Sequence, residues 1–294
     1  MLIAQTRVGV NGSLMSTRGI RIGIVAPSSR LESSMAERVT KLAADRCPSV
    51  ALTFHPQCFR AAGHFAGTDA ERAAAFVEIA NDPAFDVLWF GRGGYGSGRI
   101  ADAVLPQLSE AARAKTYLGY SDAGVLLAGL YAKGFHSVVH GPMPADITRS
   151  GGEEAVARAL SYLSTGAVGT LEPSVASSGK VAAFNIMTFS QLIGTPLQPD
   201  LTGHVLMLEE VSEYMYRIDR SLFHITSNPA IRRVAGIRLG RCSAIPDNDP
   251  PFGQTEIEIA QHWCAKAGIP YLGRADIGHD ADNKIVPFGG LRSA

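Results

Sequence analysis

Short runs of β-branched and other apolar residues alternate with longer amphipathic stretches through the first half of the chain. The runs predict buried strands and the longer stretches predict helices. The predicted strands are 21–26, 50–54, 86–90, 116–120 and 137–140. The predicted helices are 33–46, 69–81 (with Asp69 as N-cap) and 124–132. Because strands that alternate with helices form βαβ units, we predict an α/β fold whose N-terminal domain is a layered parallel sheet of the Rossmann-like kind.

The pattern changes at residues 163–180, where Ser, Gly, Thr and Pro are frequent and no period is visible. Such a segment is typical of a connection between domains. Beyond it, strands are predicted at 205–208, 233–239 and near 285–286, and helices at 216–226 and 254–267. We therefore expect an N-terminal domain over 1–162, a linker over 163–180 and a smaller, mixed α+β C-terminal domain over 181–294. Residues 1–14 are a candidate extension ahead of the first strand.

The composition narrows the class of partner. The 294 residues include 27 basic and 27 acidic ones, so the formal net charge of zero argues against duplex nucleic acid or an anionic membrane surface as partner. The four cysteines, at positions 47, 58, 242 and 264, are too far apart for a zinc motif or a disulfide framework. With no secretory signal pattern and no apolar run of membrane-spanning length, we expect a cytoplasmic protein.

The segment Gly119-Tyr120-Ser121-Asp122 stands between a predicted strand and a predicted helix. A serine at such a corner presents its hydroxyl beside the unpaired amides of a helix N-terminus, which can stabilise the oxyanion of an acyl transfer. Ser121 therefore indicates a serine hydrolase. The usual Gly-x-Ser-x-Gly pattern is not complete, since Ala123 replaces the second glycine, and a plain helix N-cap is the alternative role.

Five glycines lie in the loop 91–98 directly after the third predicted strand. Backbone amides without Cβ atoms around them can approach an anionic ligand closely. The loop also fits Gly-x-Gly-x-x-Gly, but it follows the third strand and lacks the acidic ribose contact that a dinucleotide site requires. A simple tight turn is the structural alternative.

A hydrolase also needs a base and an acid that orients it. His279 lies in a polar loop between two strand-like runs and is the first candidate for the base, and His140, at the end of the fifth predicted strand, is its competitor. His224 and His262 lie on helical patterns, where packing explains them.

The acid is expected at the end of a strand. Glu209 and Glu210 end the predicted strand 205–208, where a carboxylate can reach an imidazole above the sheet. Glu210 is also explained as a helix cap. No metal-binding spacing is present, so we expect neither a metal nor a cofactor.

These pieces together resemble the serine LD-carboxypeptidases, the muramoyltetrapeptide carboxypeptidase family, which includes the microcin-immunity peptidases. The resemblance spans about residues 21–291, and its motifs come in family order. They are Ile24-Val25-Ala26-Pro27-Ser28-Ser29, Phe65-Ala66-Gly67-Thr68-Asp69-x-x-Arg72, Arg92-Gly93-Gly94-Tyr95-Gly96, Gly119-Tyr120-Ser121-Asp122, His140-Gly141-Pro142-Met143, Asn185 with Gly194-Thr195-Pro196, Leu208-Glu209-Glu210, Tyr216-Arg217-Ile218-Asp219-Arg220 and Gly278-His279.

The resemblance implies a Ser-His-Glu triad at the interface of the two domains, and release of C-terminal D-alanine from cytoplasmic murein tetrapeptides. Its motif at 216–220 favours the murein branch over the microcin branch, and it implies a homodimer. The implied roles are, for catalysis, Ser121, Glu209 and His279; for the oxyanion hole, the amides of Gly94 and Asp122; and for substrate binding, Arg92, Gly93 and Asn185.

Two departures from the family pattern bear on the substrate pocket. The chain has Ala183-Phe184-Asn185 where Gly-Gly-Asn is common, and Glu209-Glu210 where Glu-Asp is common. Two hypotheses from other classes remain beside the hydrolase. One is an oxidoreductase that binds a nucleotide at the glycine loop, and the other is a muropeptide-binding module without catalysis.

Overall fold

The computed structural model describes residues 19–291 and contains two β-sheets. The strands of the first sheet are β1 Ile20–Val25, β2 Val50–Phe54, β3 Val87–Phe90, β4 Thr116–Gly119, β5 Val138–His140 and β10 Val286–Pro287. Their order is β10-β5-β4-β3-β1-β2, and every pair is parallel except β10 with β5. The predicted candidate extension, residues 1–14, lies outside the described residues.

Helices cover both faces of the first sheet. They are α1 Ser33–Arg46, α2 Asp69–Asn81, α3 Ser97–Val104, α4 Glu110–Arg113, α5 Gly124–Ala132 and α6 Gly152–Thr165. Alternate side chains of β3 show the layering, because Val87 and Trp89 pack in one apolar cluster with α1 and α6, while Leu88 and Phe90 pack in another with α2, α3 and α5. The predicted layered α/β architecture is confirmed.

The second sheet is smaller and lies in the C-terminal half. Its strands, in spatial order, are β6 Lys180–Asn185, β7 His204–Val211, β8 Gly236–Ser243 and β9 Tyr271–Arg274, and its helices are α7 Ile186–Leu192, α8 Met215–Ser227 and α9 Glu256–Ala267. All three strand pairs are parallel. The expected mixture of strands and helices is present, and the structure adds that this sheet has one strand direction.

The C-terminal tail joins the two sheets. β10 pairs with β5, and the amide of Phe288 donates to the Val138 carbonyl at 2.8 Å. The next amide, Gly289, donates to the Val181 carbonyl of β6 at 2.9 Å. A segment predicted as loop with one short strand therefore runs between the sheets and is hydrogen-bonded to both.

The predicted start of α2 differs from the structure by one residue. Thr68, not Asp69, is the N-cap of α2: its hydroxyl accepts from the Glu71 amide at 3.2 Å, and the Glu71 carboxylate accepts from the Thr68 amide at 2.8 Å. This reciprocal pair satisfies two amides at the helix start, which frees Asp69 to bind arginine side chains. In the predicted linker, α6 continues to Thr165, and Leu171 and Val175 are buried.

Among residues 19–291, no helix has the length and apolar character that crossing a bilayer requires.

The buried aromatic stack behind the first sheet provides a test of the core. Phe76 of α2 is fully buried, and its ring centroid lies 5.8 Å from that of Phe90 and 6.2 Å from that of Tyr117. We expect Phe76→Ala to lower the free energy of unfolding by about 3–5 kcal/mol in urea titrations, because a cavity replaces these contacts. Phe223→Ala, at a side chain that is 49% exposed, is the control and should cost less than about 1 kcal/mol. Equal losses would contradict the assignment of Phe76 to the core.

Candidate active site

The loops that carry the N-terminal site residues leave the same edge of the first sheet. They follow β1, β3 and β4, which are parallel neighbours, so their carboxyl ends lie side by side. The amide of Ser29 donates to the carbonyl of Gly93 at 3.2 Å and joins two of these loops directly.

Ser121 lies at the turn between β4 and α5 in an unusual backbone conformation. Its φ is +58°, in the left-handed region that residues with a Cβ rarely adopt, and it begins a 3₁₀ turn over Ser121–Ala123. Strain of this kind is typical of a nucleophile held at a strand-to-helix corner. Within the described chain its hydroxyl caps neither the turn nor α5, so the alternative of a plain helix cap does not explain this serine.

The glycine loop packs directly against this serine. A Cβ on Gly93 would lie 2.9 Å from both Cβ and Oγ of Ser121, so only glycine permits the approach. The loop is held from behind by the buried guanidinium of Arg72, which donates to the Gly96 carbonyl at 2.8 Å and also to the Pro27 carbonyl. Gly94 lies beside Gly93 on the exposed side of the loop. The glycine loop therefore lies directly against the predicted nucleophile.

The buried side chain of Asp122 is hydrogen-bonded to two other loops, those that follow β1 and β3. Its Oδ2 accepts from the Ser28 hydroxyl at 2.5 Å and from the Ser97 amide at 2.8 Å, and the two serine hydroxyls are 2.9 Å apart. The Asp122 backbone amide lies in the first turn of the 3₁₀ segment Ser121–Ala123, where amides lack partners within the turn.

Glu209 and His279 are hydrogen-bonded partners in the C-terminal half. Glu209 lies on β7 and His279 on the loop between β9 and β10, and both side chains are buried. Nδ1–H of His279 donates to Oε2 of Glu209 over 2.5 Å. This bond assigns the proton to Nδ1, and it leaves Nε2 as the nitrogen that can accept a proton.

An irregularity in the second sheet makes room for Glu209. The register between β7 and β8 shifts at this point, so that Gly240 and Arg241 of β8 lie opposite the single residue Glu209. A Cβ on Gly240 would lie 2.8 Å from Glu209 Cβ and 2.7 Å from Ile277 Cγ1. The bulge and the glycine together accommodate the carboxylate side chain between the strand and the histidine loop.

The environment of His279 raises its pKa above the ordinary value. Burial alone would lower the pKa, but the charge of Glu209 and its hydrogen bond to the ring stabilise the imidazolium more strongly. The other carboxylate oxygen of Glu209 has no partner among the described residues. The raised pKa makes His279 a stronger base than an ordinary imidazole.

Tyr120 brings the two halves of the site together. Its ring centroid lies 4.8 Å from that of His279, and it immediately precedes Ser121 in the chain. The predicted glutamate–histidine pair therefore lies against the residue next to the predicted nucleophile. Neither Ser121 Oγ nor His279 Nε2 forms a hydrogen bond within residues 19–291.

The two polar side chains predicted to bind substrate have other partners. Nη1 of the half-buried Arg92 donates to the Arg30 carbonyl at 3.0 Å, which leaves its other donors free. Asn185 is the N-cap of α7: its Oδ1 accepts from the Thr188 amide at 3.0 Å, and its Nδ2 donates to Glu210 at 2.6 Å. Asn185 therefore keeps one N–H and one lone pair of Oδ1 for a substrate contact.

The two competing candidates have structural roles. His140 is fully buried, its Nε2 lies 3.2 Å from Asn283 Oδ1, and burial lowers its pKa to about 4, so it is neutral near pH 7. Glu210 accepts from the amides of Met187 at 2.8 Å and Val211 at 2.9 Å, and burial raises its pKa to about 7. The interpretation of Glu210 as a helix cap is confirmed, because Met187 lies in the first turn of α7.

Asp146 and Arg149, which lie near His279, belong to none of the sequence motifs, and Tyr120 stands in a motif only as the neighbour of Ser121. The Tyr120 hydroxyl donates to Asp146 Oδ1 at 2.7 Å, Arg149 Nε donates to the same oxygen at 2.8 Å, and Arg149 Nη1 donates to the His279 carbonyl at 2.7 Å. Asp146 and Arg149 are separated by 130 or more residues from His279, so only the folded chain shows the connection. Among residues 19–291, no group of three or more His, Cys, Asp or Glu side chains is arranged for a metal ion.

The role of Gly240 in positioning Glu209 can be tested by stability and NMR measurements, without an activity assay. We expect Gly240→Ala to lower the free energy of unfolding by about 1–3 kcal/mol, because the added methyl group overpacks Glu209 and Ile277. Displacing Glu209 should also lower the pKa of His279, as followed by NMR titration of the imidazole. Gly169→Ala, where a Cβ would meet nothing within 4 Å, is the matched control. An unchanged His279 pKa in Gly240→Ala would show that the bulge does not position Glu209.

Two family models match the chain. Residues 22–141 match the LD-carboxypeptidase N-terminal domain, and residues 178–292 match the LD-carboxypeptidase C-terminal domain.

Similar sequences come from several bacteria. A putative carboxypeptidase of Streptomyces coelicolor is 30% identical over 234 residues, covering 77% of this chain and 74% of the relative. A putative carboxypeptidase of Synechocystis sp. is 29% identical over 279 residues, covering 92% and 90%. A murein tetrapeptide carboxypeptidase of Pseudomonas aeruginosa is 24% identical over 286 residues, covering 92% and 91%.

Solved structures share the fold. The muramoyltetrapeptide carboxypeptidase from Oxalobacter formigenes superposes with a TM-score of 0.75 at 21% identity, covering 93% of this chain and 96% of that one. The microcin C7 self-immunity protein in complex with glutamyl sulfamoyl guanosine gives 0.74 at 18% identity, covering 93% and 92%. With both domain models matched and a relative at 30% identity, the chain belongs to the LD-carboxypeptidase family.

Proposed function

We propose that this protein is a serine carboxypeptidase that cleaves the amide between an L-configured centre and the C-terminal D-alanine of murein tetrapeptides. The observation that carries the proposal is the buried Glu209–His279 hydrogen bond, which lies against Tyr120 next to the strained Ser121. The curated relatives support the substrate class, since they include the Pseudomonas aeruginosa enzyme and a probable murein peptide carboxypeptidase of Bacillus subtilis at 26% identity.

The chemistry follows the general order of a serine acyl transfer. Oγ of Ser121 attacks the carbonyl carbon, and Nε2 of His279 takes the hydroxyl proton. The imidazolium then delivers that proton to the amine of the leaving D-alanine as the amide bond breaks. Water, deprotonated by the same nitrogen, hydrolyses the acyl-enzyme and restores Ser121. Glu209 keeps the ring oriented and stabilises its charged form.

The oxyanion is assigned to two backbone amides at the edge of the first sheet. Asp122 follows Ser121 in the 3₁₀ turn, and Gly94 follows Gly93, the glycine that packs against Ser121. Backbone amides in fixed positions stabilise the developing negative charge without reorganising. The substrate's terminal carboxylate is assigned to the free donors of Arg92 and to the loop at Gly93, and the remaining N–H of Asn185 is assigned to the peptide.

A second candidate is a microcin-immunity-type peptidase, because that protein has the same fold with glutamyl sulfamoyl guanosine bound. It would use the same nucleophile and base on a different amide. The curated murein relatives favour the first candidate. A cytoplasmic setting and a homodimer belong to the same proposal, and size-exclusion chromatography with light scattering tests the dimer.

The proposed nucleophile is tested by product analysis. A murein tetrapeptide ending in D-alanine is incubated with the wild-type protein and with Ser121→Ala, and mass spectrometry follows the loss of one alanine. We expect Ser121→Ala to lower the turnover number by at least about 10³-fold with an unchanged fold, because no other group can form the acyl-enzyme. Ser34→Ala, at an exposed serine of α1, is the control. Turnover by Ser121→Ala at the wild-type rate would end the proposal, and cleavage of an aminoacyl sulfamoyl nucleoside alone would select the second candidate.

The raised pKa of His279 predicts the pH dependence. The base must be neutral, so kcat/KM rises with pH through the pKa of His279, and the midpoint should lie above the ordinary value of about 6.5. Glu209→Gln removes the charge that raises this pKa, so the midpoint should move to lower pH while the turnover number falls by about 10⁴-fold. Glu210→Gln is the matched control, because burial raises the pKa of Glu210 to about 7 but its side chain does not contact His279. A midpoint that moves in Glu210→Gln and not in Glu209→Gln would contradict the assignment.

A further inference from the structure

A chain of three polar side chains, two of them buried and the third exposed, runs from the residue before Ser121 to the backbone of His279. Its members are Tyr120 at the end of β4, Asp146 in the 3₁₀ turn Pro144–Thr148 after β5, and Arg149 directly after that turn. We call these three residues the Tyr120–Asp146–Arg149 chain. It connects the N-terminal sheet to the loop that carries the proposed base.

Tyr120 contacts His279 with its ring and Asp146 with its hydroxyl. The side chain is 1% exposed, and the ring centroids of Tyr120 and His279 are 4.8 Å apart with a tilt of 52°. Burial and the charge of Asp146 raise the tyrosine pKa well above its usual value, so the phenol remains a hydrogen-bond donor. Its 2.7 Å bond to Asp146 therefore fixes the ring face on which the imidazole rests.

Asp146 is the buried centre of the chain. It is 4% exposed, and Oδ1 accepts from both Tyr120 and Arg149. Oδ2 accepts from the Met143 amide at 2.8 Å. A buried carboxylate requires such partners, because an unpaired charge away from water is strongly destabilising. The donors to Asp146 are thus the Tyr120 hydroxyl, Arg149 Nε and the Met143 amide, and two of these three residues also contact His279.

Arg149 links the chain to the histidine. Nη1 donates to the His279 carbonyl at 2.7 Å while Nε is held by Asp146 at 2.8 Å. A charged donor gives a stronger bond to a carbonyl than a neutral donor does. The His279 residue is thus fixed at its backbone by Arg149, at its ring face by Tyr120 and at Nδ1 by Glu209.

We infer that Tyr120, Asp146 and Arg149 are positioning residues, which hold the imidazole of His279 in line with Ser121 across the boundary between the two sheets. The inference rests on the proposed hydrolase function. A displacement of about 1 Å at a reacting group can lower a rate by about 10²-fold, so a rigid connection between nucleophile and base has a direct effect on turnover.

The charges of the chain distinguish positioning from a merely structural role. Arg149 lowers the pKa of His279 and Asp146 raises it, in addition to the effects of burial and Glu209. Of the other titratable groups nearby, His140 on β5 is neutral near pH 7, and Asp280, the next residue of the loop, is paired with Arg241. Removal of Asp146 or Arg149 should therefore shift the pKa of His279 in opposite directions, which a general loss of stability would not do.

The test uses Tyr120→Phe, Asp146→Asn and Arg149→Met in the full-length protein, with Arg149→Lys as the conservative variant. Turnover is followed on the murein tetrapeptide, and acylation of Ser121 is followed with a fluorophosphonate probe. Tyr120→Phe should lower kcat and the labelling rate by roughly tenfold, the loss of about one hydrogen bond, with KM within twofold. The acidic limb of the pH profile of kcat/KM should move to lower pH in Asp146→Asn and to higher pH in Arg149→Met. In Arg149→Lys, which keeps the positive charge, the limb should lie at the wild-type pH.

Arg158→Met is the matched control. Arg158 donates to the carbonyls of Ala281 and Asn283 in the same loop, at 2.7 and 2.9 Å, but it does not contact the Tyr120–Asp146–Arg149 chain. It should lower the thermal midpoint as Arg149→Met does and leave the acidic limb in place. The inference would be overturned if the acidic limb moved in the same direction in Asp146→Asn and Arg149→Met. A wild-type kcat in Tyr120→Phe would overturn it as well. A wild-type protein that does not cleave the tetrapeptide but labels at Ser121 refutes only the proposed substrate, since the labelling rates still test the positioning residues.

Discussion

The hydrogen bond between Nδ1 of His279 and Oε2 of Glu209 is the interaction on which the arrangement of the site depends. Both side chains are buried, so neither could carry charge or a fixed tautomer without the other. The surrounding residues make space for this pair and hold it in position. Gly240 and the bulge in β8 leave room for the carboxylate, and the histidine loop is anchored through the carbonyl of His279. The result is an imidazole whose Nε2 is kept available.

The position of the proposed nucleophile follows from the geometry of the first sheet. Parallel strands place the loops after β1, β3 and β4 at one edge, and Asp122 joins these loops through Ser28 and Ser97. The strain at Ser121 is tolerated because the turn is held on both sides, by the start of α5 and by Gly93. The proposed site thus consists of two parts that meet at Tyr120 and His279.

The accuracy of the sequence-based predictions follows the strength of the local pattern. The helices at 33–46 and 124–132 and the strand at 50–54 have the predicted limits, because their apolar positions and flanking turns are unambiguous. The strands β6 and β9 were not predicted, since Lys180–Asn185 follows a Ser- and Gly-rich segment and Tyr271–Arg274 is short and only partly buried. The N-cap of α2 was placed one residue late because Thr68 and Asp69 are both good capping residues, and only the bond to Glu71 distinguishes them.

The sequence by itself determined the alternation of strands and helices, because this depends on local patterns of apolar residues. It also determined the family and the identity of the glutamate and histidine that form the buried pair, because these depend on motifs and their order along the chain. Tertiary structure alone decided that Gly93 touches Ser121, that Gly240 makes space for Glu209, and that Tyr120, Asp146 and Arg149 surround His279. These contacts join residues far apart in the chain, and their distances depend on how two sheets pack. No local pattern encodes that packing, since the same side chains would satisfy burial in many other arrangements.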